Sequence, residues 1–93
     1  MSRLLTPGDI HIVHDHAESG YGVVRTNIRE IVYSCRINHD TRLTHDKILA
    51  ELMREVRDYF LYRSLDEYSF QSMKRFMIEY LNKMILDGVI TYG

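Results

Sequence analysis

Between Leu43 and Tyr92 two long runs repeat their apolar residues at helical spacing and close on Asp87-Gly88-Val89-Ile90-Thr91-Tyr92. Few small folds accommodate such a pair, because each run must lay one whole face against something apolar. In the first run Ile48, Leu49, Leu52, Met53, Val56, Tyr59 and Phe60 make one stripe, which predicts a helix over residues 44–62. Thr44 is placed to cap it, and Asp46 in its first turn meets the positive end of the helix dipole. The opposite face carries Lys47, Glu51, Arg54 and Asp58, whose spacing predicts the surface ion pairs Lys47/Glu51 and Arg54/Asp58. In the second run Met73, Phe76, Met77, Tyr80, Leu81, Met84 and Ile85 form the stripe of a helix over residues 66–87. Ser64-Leu65-Asp66-Glu67 is a capping-box candidate at its start, and Gly88 is the expected left-handed terminator. Val89, Ile90 and Tyr92 then read as a short strand over residues 89–92.

Upstream the pattern changes. Pro7-Gly8-Asp9 signals a turn, and the β-branched runs on either side of Glu18-Ser19-Gly20 predict a loose β-hairpin over residues 9–25. Asn27 with Glu30 resembles a capping box, and Ile28, Ile31, Val32 and Cys35 keep helical spacing, so a first helix is expected over residues 27–37. Ile31, Tyr33, Cys35 and Ile37 also alternate, which leaves a strand as the rival reading. The whole is expected to be one α+β domain: an N-terminal hairpin, a winged-helix-like core of three helices and a short C-terminal strand.

Composition limits the function more than it identifies it. Twelve basic and thirteen acidic side chains give a formal charge of −1, which removes the bulk electrostatic case for nucleic acid. The single cysteine allows no internal disulfide, no run approaches a transmembrane length, and no leader pattern opens the chain, so a cytoplasmic or virion-associated protein is expected. With 93 residues the core is modest, and a partner would add substantially to the buried surface.

No motif calls for catalysis, a cofactor or a small-molecule substrate. His11-Ile12-Val13-His14-Asp15-His16 is rich in metal-ligating types, but a strand sends His14 and His16 to one face and His11 to the other. Strand-end histidines that titrate near neutrality account for the cluster better, leaving His14 and His16 as weak metal candidates. His14-Asp15, His39-Asp40 and His45-Asp46 echo the ligand pair of helical phosphohydrolases, whose remaining ligands this chain is too short to supply. Cys35 keeps register with Ile28, Ile31 and Val32, which marks a buried thiol and not a nucleophile.

The outer face of the last helix is more informative. Gln71, Arg75, Ile78, Glu79, Asn82 and Leu86 cluster there, with Lys74 and Lys83 on the flanks. Ile78 and Leu86 would stand in water unless a partner or the N-terminal hairpin covered them, which favours protein contact through Ile78, Leu86, Gln71, Arg75 and Asn82. The alternative is a DNA-binding regulator using Gln71, Lys74, Arg75 and Lys83.

Helix, helix, helix and then Gly88-Val89-Ile90-Thr91-Tyr92 resembles a winged-helix domain. Ile31-Val32, Leu43-Thr44-His45 with Leu49 and Glu51, Phe60, Met73-Lys74-Arg75 through Leu81, and Gly88-Val89-Ile90 are similar to the C-terminal winged-helix segment of cullins. Arg36 stands near where cullins carry a modifiable lysine, so that modification is not implied. Arg25 through Ile31 and Phe76 through Leu81 followed by Gly88-Val89-Ile90-Thr91-Tyr92 also resemble the C-terminal domain of contractile phage tail sheath proteins. In the sheath family an early helix and a late helix flank a sheet through which subunits join, so that resemblance implies subunit contact. The expected function is therefore non-catalytic: binding another protein or itself, as an interaction or assembly module such as a small phage structural or adaptor protein.

Overall fold

The computed structural model describes residues 2–16, 22–64 and 66–93. The chain is a small α+β fold of three helices and short antiparallel strands. Strands β1 (Ile12–His16) and β2 (Gly22–Thr26) pair antiparallel from Ile12 opposite Thr26 to His16 opposite Gly22. The connection between them lies outside the described residues. Helix α1 (Ile28–Ser34) leads into β3 (Arg36–Ile37), then α2 (His45–Leu61), α3 (Glu67–Leu86) and β4 (Ile90–Thr91) follow.

The helix expected over residues 27–37 is therefore shorter, and the stretch ends in a two-residue strand instead. Residues 28–34 form the helix; Cys35 turns extended at φ −75°, ψ 146°, and Arg36 and Ile37 pair with Thr91 and Ile90. The capping box expected there does not form. The Asn27 side chain leaves its own helix, accepting from the His11 N–H at 2.8 Å and donating to the Asp9 carbonyl at 2.9 Å. The long helices are capped by short polar side chains: Thr44 accepts from the Lys47 N–H, and Asp66 from the Ser69 N–H. Gly88, at φ 77°, ends α3 in a Schellman turn, with the Val89 N–H on the Met84 carbonyl and the Gly88 N–H on Ile85. A side chain at position 88 would be strained by that backbone whatever the space around it.

The core joins Ile28, Ile31, Val32 and Cys35 of the α1 region to Ile48 and Leu52 of α2, Met73, Met77 and Leu81 of α3, and Ile90 of β4. Leu5 and Ile10 complete it: Ile10 belongs to the alternating run expected as a strand, whereas no periodicity marks Leu5. They are held by a clasp along the N-terminal segment. The Arg3 N–H meets the Tyr92 carbonyl at 2.6 Å, Asn82 takes both main-chain groups of Leu5 at 2.7 and 3.0 Å, and Asn27 takes residues 9 and 11. One extended stretch thus ties together β4, α3 and α1.

Within the clasp, Arg3 forks onto Asp9 with two 3.0 Å bonds, and Thr6 donates its N–H and hydroxyl to the same carboxylate. The Arg3 bond, then the Thr6 N–H, hold the Asp9 carboxyl well below the usual carboxylate range. A lowered folded pKa stabilises fully above the unfolded value and is lost as pH falls through the folded one. Asp9→Asn is therefore expected to lower the melting temperature at pH 7, with the penalty shrinking as pH drops below about 4; paired thermal melts check this.

Arg3–Asp9 is the ion pair found among the described residues, so the pairs expected at Lys47/Glu51 and Arg54/Asp58 do not form. On an exposed helix such a pair gains only tenths of a kcal/mol against the entropy of two long side chains, and solvent wins. The molecule is elongated, 46 × 23 × 20 Å, with a radius of gyration of 14.2 Å against about 12 Å for a compact domain of this length.

Candidate interaction surface

α2 has 17 residues and α3 has 20, and their antiparallel packing makes a helical hairpin. Its root is dry, with Leu52, Met77 and Leu81 essentially inaccessible. Towards the turn the covering elements run out. There Tyr59 and Phe60 meet edge to face at 5.3 Å, Phe60 meets Phe70 at 5.8 Å, and the Arg63 guanidinium lies 4.2 Å over the Tyr59 ring. Around this small aromatic cluster Leu61, Tyr62 and Tyr68 stand 64%, 86% and 80% exposed. Five of the ten aromatic residues of the chain (seven Tyr, three Phe) fall in the twelve positions from Tyr59 to Phe70. Phe70, Tyr59 and Phe60 pack on one another, whereas Tyr62 and Tyr68 add nothing to the packing of a monomer.

Beside the tip a cavity of about 300 Å³ opens between the helices, floored by Tyr59, Met73 and Phe76 and edged by Glu55 and Asp58. One turn further in, burial pushes the Tyr80 phenol up, with the Glu51 and Glu55 carboxylates adding to the shift.

The outer face of α3 is not the surface its sequence suggests. Ile78 is half-buried and packs against the core, so it is less open than its spacing suggests. Asn82 is spent on Leu5, and the 3-10 turn Pro7–Asp9 rests on α3 as well. The N-terminal segment covers one edge of this face, at Asn82, and leaves Arg75, Glu79 and Leu86 open. Leu86 remains 74% exposed, Arg75 is exposed, and Gln71 is exposed but bonded to Glu67 at 2.8 Å. The cations proposed for DNA are not gathered: Lys74 is half-buried, and Lys83, nine residues on, is about two and a half turns away on the other side of the helix.

The other candidates serve the fold. His45 Nε2 lies 2.7 Å from the Cys35 carbonyl, so that nitrogen carries the proton, and its ring stacks on Tyr33 at 5.5 Å. Asp46 accepts from the Tyr33 hydroxyl, which pushes that phenol up. A shallow depression of about 650 Å³ beside His39, His45 and Arg36 thus holds an imidazole already engaged. Cys35 is buried, burial pushes its thiol up, and its Sγ donates to the Ile31 carbonyl. His14 and His16 lie in β1, with side chains outside those described; among the described residues no three ligating groups converge. No described helix is long and apolar enough to cross a membrane.

Tyr62, Tyr68 and Leu61 are the residues that periodicity misses, because they lie off both core stripes. The local density of aromatics was the signal that could have found them. Comparison with protein-family models, curated proteins and solved structures finds no match to this chain.

Proposed function

We propose that the chain is a non-catalytic protein interaction or assembly module that meets its partner through the α2–α3 hairpin. The carrying observation is the exposure of Leu61, Tyr62 and Tyr68 together at one end of an elongated molecule. Scattered single hydrophobics on a surface need no explanation, but a cluster does. Tyrosine supplies large contact area at small entropic cost and keeps its hydroxyl satisfied when the rest is buried, and for these reasons it is enriched at interface centres.

Sedimentation and affinity capture, run side by side on the protein and on Tyr62→Ser/Tyr68→Ser, test the reading. The unaltered protein is expected to associate with itself or retain a partner, and the double variant to lose that association at least ~10-fold while keeping its helical circular dichroism. A strict monomer that retains nothing the variant does not, or that shifts duplex DNA in a salt-sensitive way, would overturn it.

A further inference from the structure

Tyr68, Ser72, Arg75, Glu79, Asn82 and Leu86 follow one another along α3 at alternating steps of four and three residues, which lines them up in one seam along the helix. This seam is not the one that meets the core, which runs through Phe70, Met73, Met77 and Leu81. It faces outward: Tyr68 and Leu86 are 80% and 74% exposed, Arg75 and Glu79 are exposed, and Ser72 and Asn82 are half-buried. Neither Arg75 nor Glu79 has an ion-pair partner among the described residues.

The seam is also symmetric about Met77. Reversed end to end, Tyr68 falls on Leu86, Ser72 on Asn82, and Arg75 on Glu79. From this we infer that α3 pairs antiparallel with α3 of a second copy, across a two-fold axis level with Met77. The inference rests on the interaction-module reading and names the partner. An isologous interface must be self-complementary, and this face is: an aromatic ring meets an aliphatic side chain at both ends, and a guanidinium meets a carboxylate twice at the centre. The small Ser72 lets the backbones approach, and Asn82, its polar atoms already held by Leu5, presents only packing surface.

Tyr62, 86% exposed, lies six residues before Tyr68, and Leu4, 44% exposed, adjoins the Leu5 that Asn82 holds. The seam is half polar and its central ion pairs are open to solvent, so the expected self-association is weak and is to be sought up to millimolar protein.

Opposite charge swaps test the register. Arg75→Glu puts four carboxylates at the dimer centre and Glu79→Arg puts four guanidinium groups there, so each variant alone is expected to sediment as a monomer, its self-association weakened at least ~10-fold. Mixed in equal amounts the two complement each other and recover association at least as strong as the unaltered protein, as does the double exchange R75E/E79R. If the unaltered protein associates and the single exchanges do so equally well, the α3 pairing is wrong and self-assembly through another surface stands. If the mixture stays monomeric, the antiparallel register is wrong. If the unaltered protein is monomeric up to 1 mM, the second copy is excluded, and retention of another partner by Tyr62 and Tyr68 then decides the broader reading separately. Circular dichroism guards against misfolding, which substitutions at two exposed positions are not expected to cause.

Discussion

Asn82→Ala is expected to cost about 2–4 kcal/mol and to release the N-terminal segment. The Asn82 amide donates to the Leu5 carbonyl and accepts from the Leu5 N–H, and Leu5 is almost fully buried. Removing the amide takes the partner from both main-chain groups at a part-buried site, where each such group costs towards the lower end of about 1–3 kcal/mol. For a chain of this length about 1 kcal/mol moves the melting temperature by about 4–8 °C, so the loss should be plain in a thermal melt. Hydrogen exchange gives the sharper reading. Amides of residues 3–11 should lose protection, while those of α2 and the core side of α3 keep theirs. Equal loss of protection everywhere would mean that the segment is not separately held. Because Asn82 belongs to the clasp, its substitution is a poor probe of partner contact.

Leu81→Ala and Leu86→Ala should separate the two faces of α3. Leu81 is 0% exposed in the middle of the core, and its truncation leaves a cavity among Leu52, Met77 and Ile90 that costs about 2–5 kcal/mol. A small domain has little more than that in reserve, so the variant is expected to be largely unfolded at moderate urea. Leu86, five residues on and 74% exposed, should change stability by less than about 0.5 kcal/mol. Its effect should fall on association instead. Urea titrations followed by circular dichroism give the first comparison and sedimentation the second. A large loss of stability from Leu86→Ala would mean that Leu86 is a core residue and not a contact.

The α+β class was legible because both long helices carry complete apolar stripes with polar N-caps, and α3 ends on a glycine stop. What blurred the stretch from Asn27 to Ile37 was a change from helix to strand within it. Ile28, Ile31 and Val32 pack at helical spacing, while Arg36 and Ile37 belong to the strand that β4 needs as a partner. The clasp was not legible. Leu5 is an isolated apolar residue before a turn and Ile10 opens an alternating run after it, and whether they are buried depends on Asn27 and Asn82, far along the chain. The same long-range contacts engage Asn82, which periodicity alone places on an open face. Helical periodicity identifies a face that the core does not cover, but not which other segment of the chain lies over it. Leu86 and Arg75 stayed exposed because they sit further round the helix. Tyr62 and Tyr68 lie off both core stripes, so the apolar periodicity does not mark them; only the fold shows them exposed.

The most direct test of the partner surface is a dilution series of backbone amide spectra of the uniformly 15N-labelled protein. From about 10 µM to 1 mM, signals of the tip and of the α3 seam, around Tyr62, Tyr68, Ser72, Arg75, Glu79 and Leu86, should move together along a single binding curve. Those of the α2 back, around Lys47, Ala50 and Arg54, should stay fixed. Movement confined to the β1–β2 hairpin or to the α2 back, or a spectrum unchanged across the whole range, would contradict self-association through the outer face of α3.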